Sequence, residues 1–325
     1  MRRGILFGQF KSKSIKQLIG KGIDKNNIIG MWPFGGLIQF TYSYYAQWNY
    51  LINNQDKTKI DFIITGNSFF KYGIDISTMS PFNGINFSRD SQDLYYSLKM
   101  VQAYFDTIKN NQYPKFCLIG LAPYAFNNWL DFTIRNFDQY FYFPIIGHNN
   151  MEYQGTKRGE FLKKIFRSKY KKYLKMYLNK IDSINLNDID GSRQWHQEHN
   201  FITARQQLKA ADELAIYEHK KYPETVEQNK RILSQYIEMC LNHNVKPIGV
   251  LLPFSEVGRK HYPKTALKEF FETLEPFLEK MSFINLWDMK LPDSNFEDIT
   301  HLKISGSIEV TKKVKEQILK ILDSN

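Results

Sequence analysis

An α/β protein with a doubly wound, flavodoxin-like sheet of five parallel strands follows from three features of the sequence. Five short apolar runs of strand length recur from residue 61 onward. Segments with helical spacing stand between them. The alternation breaks once, where about 100 residues separate the third run from the next helix, far more than a crossover needs. Strands that alternate with helices favour a parallel sheet covered on both faces, and right-handed crossovers favour the doubly wound order.

The elements follow in chain order. "LIQFTYSYYAQWNYLINN" carries apolar and aromatic residues at three- and four-residue spacing and reads as a helix within an N-terminal arm, 1–58. "DFIIT" (61–65) is the first strand, "GINFS" (84–88) the second and "KFCLIGL" (115–121) the third. Between the last two, "SQDLYYSLKMVQAYFDTIKNN" reads as a helix with Ser91 at its N-cap and Leu94, Leu98 and Val101 on one face. Residues 127–225 form a largely helical, partly basic insertion, a lid or subdomain. Then come the helix "PETVEQNKRILSQYIEMCLNHN", the strand "KPIGVLLP" (246–253), the helix "KTALKEFFETLEPFLEKM" and the strand "SFINLWD" (282–288). The last helix, "SGSIEVTKKVKEQILKIL", sets Val310, Val314, Ile318 and Ile321 on one face. The α/β domain therefore comprises 59–126 and 226–325.

The 325 residues are 42% hydrophobic and 15% aromatic, enough for a large core and unlike a disordered chain. Cys117 and Cys240 lie in apolar contexts and read as buried hydrophobes, with no sign of an oxidising compartment. No stretch reaches the ~20 apolar residues of a membrane span, and the first residues lack a secretory leader's apolar run. The expected location is the cytoplasm, with peripheral attachment to a membrane as a variant. The net charge is +11, and 157–180 concentrates Lys and Arg around a single Glu160. Such a segment favours an anionic membrane surface or a polyanionic glycan, and nothing in it matches a nucleic-acid module.

Chemistry concentrates at two places. Gly66-Asn67-Ser68 follows the first strand, and Asp298-Ile299-Thr300-His301 precedes the last helix. In a doubly wound sheet both fall at the carboxyl edge, where ligands gather. A hydroxyl needs a base to become a nucleophile near neutral pH, and an imidazole needs a carboxylate to set its tautomer. Either motif alone is a common turn or cap. Their joint placement points to Ser68, His301 and Asp298 as nucleophile, base and orienting acid.

These motifs resemble the SGNH/GDSL hydrolase superfamily and, more loosely, the SGNH-like proteins encoded with bacterial surface-polysaccharide genes. The similarity extends through "NFSRDSQDLYYS", "CLIGLAPYAF" and "KPIGVLLPFS". It implies ester hydrolysis or acyl transfer, often on an O-acylated carbohydrate, without metal or organic cofactor. It also implies an oxyanion hole: the Ser68 amide, the Ser88 amide where the second block usually has glycine, and an asparagine after the third strand. This chain departs from the pattern. Asn67 stands in place of the usual Asp, and "GLAPYAFNNW" lacks the third block's Gly-x-Asn, leaving Asn127 or Asn128 as substitutes. The alternative is a non-catalytic scaffold of this type that binds glycan or membrane through its basic insertion.

The remaining candidates have plainer readings. His196 and His199 have metal-ligand spacing but no further ligand at a telling distance, so no metal is expected. His148, His219, His243 and His261 read as surface residues. Asp93 reads as a first-turn acid favouring the helix dipole, and Trp32 and Phe34 as packing of the arm. Phe161, Tyr170, Tyr173 and Tyr177 form an aromatic stripe amid the lysines, suited to packing on the sheet or to docking at an anionic surface.

Overall fold

The structure, a computed structural model, describes residues 48, 51–53, 59–128, 142–146 and 223–324. Most of the arm, nearly all of the insertion and the basic segment 157–180 lie outside the described residues, as do His148, His196, His199, His219, Trp32 and Phe34.

Five parallel strands form one sheet: β1 (Phe62–Thr65), β2 (Gly84–Asn86), β3 (Phe116–Gly120), β4 (Lys246–Leu251) and β5 (Ser282–Asn285), in the order β2-β1-β3-β4-β5. All five fall inside the expected apolar runs, shortened by one to three residues where the runs turn out of the sheet. The strand order reverses between β1 and β3, and this switch point opens a crevice at the carboxyl edge.

The helices are α1 (Ser68–Gly73), α2 (Leu94–Phe105), α3 (Phe143–Ile146), α4 (Pro223–Asn242), α5 (Glu256–His261), α6 (Lys264–Leu274) and α7 (Ile304–Asp323). The two-residue period of a strand separates the sheet's faces. On one face, the Thr65 hydroxyl and the Cys117 thiol both meet the Tyr236 hydroxyl of α4, at 2.9 and 3.5 Å. On the other, Phe62 stacks on Phe116 at 5.3 Å, and Phe70 of α1 lies over Gly120. Helices α2 and α4 pack together on the first face, and α1 packs with α7 on the second.

Apolar periodicity located the long helices. Leu94, Leu98 and Val101 of α2 are buried, as are Val310, Val314 and Ile318 of α7, with Ile321 partly buried beside them. Two helix ends differ from expectation. Ser91 does not cap α2: it has φ +58°, while Asp93 takes the N-cap and accepts from the Tyr96 amide at 2.9 Å. Asp93 is thus a capping ligand rather than a first-turn charge. The helix at 264–281 ends at Leu274, because Pro276 cannot continue it, and a 3₁₀ turn follows. Helices α1 and α5 are too short for periodicity to register. Cys117 and Cys240 are free and buried. His261 is exposed, whereas His243 is half-buried, its ring lying 4.5 Å from Tyr113 and 5.0 Å from Phe105. That aromatic pocket and an Nδ1–H bond to the Met239 carbonyl at 2.8 Å take it off the open surface.

Candidate active site

Strand β1 ends on Gly66, at φ +152°. A side chain there would be strained, and its Cβ would sit 2.7 Å from the Phe70 ring. Glycine lets the chain leave the sheet and enter α1 within two residues. Asn67 is the N-cap, its Oδ1 accepting from the Phe69 amide at 3.0 Å. Ser68 is the first helical residue, so its amide N–H has no acceptor within the helix.

The partner loop runs from β5 to α7. An antiparallel bridge between Phe296 and Leu302 closes its base, and the Lys303 amide donates to the Asn295 carbonyl at 2.8 Å. Inside the loop, Asp298 Oδ1 accepts from the Thr300 and His301 amides, both at 2.8 Å, and from the Thr300 hydroxyl at 3.0 Å. The loop is held to the end of β4 by the Ser255 amide on the Ile299 carbonyl at 3.0 Å. Gly258 of α5 allows that approach: a Cβ there would lie 2.6 Å from the Ile299 oxygen.

Across the edge of the sheet these two turns meet. Asp298 Oδ2 lies 2.7 Å from His301 Nδ1, and His301 Nε2 lies 2.8 Å from Ser68 Oγ. Because the carboxylate accepts from Nδ1–H, the neutral ring leaves Nε2 bare to accept from the Ser68 hydroxyl. The His301 ring sits edge-on between Phe69 at 5.2 Å and Tyr72 at 5.9 Å. Burial pushes His301 down, but the Asp298 charge and hydrogen bond, aided by Asp90 and Glu297, hold it above the usual imidazole range. Burial also pushes Asp298 up, and the His301 charge with the His301 and Thr300 hydrogen bonds outweighs it. The Asp298 carboxyl stays well below the ordinary carboxylate range.

The oxyanion candidates fare differently. The Ser88 amide already donates to Asn86 Oδ1 at 2.9 Å, so it serves an oxyanion only if Asn86 lets go. Ser88 Oγ is buried with no hydrogen-bond partner among the described residues. Asn128 lines a cleft beside Asn67, of about 250 Å³, whose wall also includes Gly120, Ala122 and Tyr124; Asn127 does not line it. Among the described residues no three His, Cys, Asp or Glu side chains gather as metal ligands.

Four neighbours of the site carried no sequence signal of their own. Lys71 is buried, its Nζ 2.8 Å from the Tyr72 hydroxyl and 3.5 Å from Asp90. Tyr124 accepts from Asn67 Nδ2 at 2.9 Å. The one available hint for Tyr124 was its place just after β3, at the same sheet edge as Ser68.

No family model matches the chain, and no curated protein matches it. Among solved structures it is similar to a candidate acylhydrolase from Bacteroides fragilis, at 11% identity and a TM-score of 0.40, over 84% of this chain and 96% of that one. It is also similar to a GDSL-like lipase from Bacteroides thetaiotaomicron, at 9% identity and a TM-score of 0.37, over 85% and 99% of the two chains. Both likenesses are distant, and the chemistry considered next rests on the side-chain geometry.

Proposed function

We propose that this protein is a serine esterase or O-acyltransferase. The observation that carries the reading is the hydrogen-bonded series Ser68–His301–Asp298, assembled from two turns 233 residues apart in the chain. Ser68 Oγ attacks the acyl carbonyl carbon and its proton passes to His301 Nε2. Asp298 holds the ring in the productive tautomer and stabilises the imidazolium. The tetrahedral adduct collapses, the ester C–O bond breaks, and His301 returns the proton to the leaving alkoxide. Water or a second hydroxyl then takes the acyl group by the same route in reverse.

The Ser68 amide, the first N–H of α1, is one oxyanion donor. The motif resemblance assigns the acyl donor to O-acylated carbohydrate or surface glycan. The basic segment 157–180 adds, by charge alone, an anionic membrane or polymer as docking partner. Among the described residues no helix is long and apolar enough to cross a membrane.

The test uses the full chain, p-nitrophenyl acetate and a fluorophosphonate probe. Wild-type protein is expected to turn over the ester and to be labelled at Ser68. Ser68→Ala should lose roughly 10⁴-fold or more in kcat and all labelling, with its thermal transition retained. Full turnover by folded Ser68→Ala, or a wild type that the probe leaves unlabelled, overturns the proposal and favours the binding scaffold.

A further inference from the structure

Attack by Ser68 places negative charge on the acyl oxygen, and one backbone amide is a thin provision for it. Ala122, two residues beyond Gly120, carries no donor where the third-block pattern would set asparagine. The Ser88 amide is engaged by Asn86. We infer that the Tyr124 hydroxyl is the missing donor: it hydrogen-bonds the oxyanion, and Asn67 is the positioning residue that turns its proton toward it. The inference rests on the serine chemistry proposed above.

The direction of the proton follows from the Asn67 amide. A backbone N–H can only donate, so the atom facing the Phe69 amide at 3.0 Å is the Asn67 oxygen. The atom facing Tyr124 at 2.9 Å is therefore the NH₂ group, and the phenol oxygen accepts. The phenol's own O–H bond is thereby directed away from Asn67. Location agrees. Tyr124 lines the cleft with Asn67, Gly120, Ala122 and Asn128, and its ring meets Phe69 edge-on at 5.9 Å. The other edge-on neighbours of Phe69 include His301 at 5.2 Å. Tyr124 and His301 thus both contact the residue that follows the nucleophile. In the proposed step the Ser68 Oγ–C bond forms, the carbonyl π pair moves to oxygen, and the serine proton goes to His301. Tyr124 donates a hydrogen bond and keeps its proton.

This gives Asn67 a reason to differ from the Asp of the resembled signature. Asparagine caps α1 with its oxygen and orients Tyr124 with its nitrogen. A carboxylate would cap equally well, but its second oxygen would draw the Tyr124 proton onto itself.

The experiment compares Tyr124→Phe, Asn67→Asp, the double variant and Asn128→Ala in full-chain protein. The readouts are p-nitrophenyl acetate kinetics and the rate of fluorophosphonate labelling. Tyr124→Phe should lower kcat and the labelling rate by roughly 10²- to 10³-fold, with KM and the pH midpoint of activity nearly unchanged. Asn67→Asp, although it restores the signature residue, should fall comparably, and the double variant no further. If Tyr124→Phe fails to fold, Asn67→Asp still tests the orientation, because wild-type rates there overturn it. A folded Tyr124→Phe within threefold of wild type overturns the inference, as does a large loss confined to Asn128→Ala. Wild-type protein that is never labelled at Ser68 overturns the serine reading, and this inference with it.

Discussion

His301 is asked to be a base, yet its surroundings favour the charged ring. Asp298 at 2.7 Å, with Asp90 and Glu297 farther off, raises it above its ordinary value near 6.5. A protonated Nε2 cannot take the Ser68 proton. Activity should therefore be lost below the raised value and climb as pH rises through it. The expected kcat/KM profile has its half-maximum above pH ~6.5. Asp298→Asn should lower that midpoint and cut kcat by roughly 10⁴-fold, because the ring loses both its charge partner and its enforced tautomer. A midpoint unmoved by Asp298→Asn would show that another group titrates. The stability signs run in opposite directions. The His301 contribution is complete below pH ~6.5 and fades as pH rises through the raised value. The Asp298 contribution is complete above pH ~4 and fades as pH falls toward its depressed value.

The turn from β1 into α1 carries the nucleophile, and its geometry depends on Gly66. Gly66→Ala would force a side chain onto φ +152° and set its Cβ 2.7 Å from Phe70. The expected cost is about 1–3 kcal/mol, seen as a lowered thermal midpoint. Activity should fall further than stability does, since Ser68 moves with the turn. Unchanged melting in Gly66→Ala would mean that the turn relaxes freely. Helix α1 itself left no mark in the sequence: six residues give less than two turns, too few to establish a period. The cap of α2 was misread for a related reason. Ser91 and Asp93 are both good caps, and only the backbone, left-handed at Ser91, separates them.

Nearly 100 residues of insertion separate β3 from α4, yet α4 returns to the sheet and closes its core. The Tyr236 hydroxyl meets Thr65 on β1 at 2.9 Å, across 171 residues of sequence. Burial pushes the Tyr236 phenol well above its ordinary range, with Cys117 and Cys240 adding to the shift, so it stays neutral throughout the useful pH range. Tyr236→Phe would leave the Thr65 hydroxyl, fully buried, without that partner. A loss of about 1–3 kcal/mol is expected, read as a lower urea midpoint at constant m-value. An unchanged midpoint would mean that this link between β1 and α4 contributes nothing to the sheet.

Strands, long helices and their order were legible in the chain because each rests on local periodicity. Five apolar runs with helices between them leave few topologies, and the switch point then puts the Gly66-Asn67-Ser68 turn and the Asp298–His301 loop at one edge. Periodicity could not say which polar groups would face one another there. The Ser88 amide was taken by Asn86, two residues back, through a side-chain orientation that no spacing encodes. Tyr124 reached Asn67 from another strand's end, 57 residues away, through a hydrogen bond that exists only once β1 and β3 pair. Motif spacing identifies groups that act along one turn of chain. Groups brought in from a neighbouring strand are selected by packing and by which donors and acceptors remain, and those are properties of the folded edge alone.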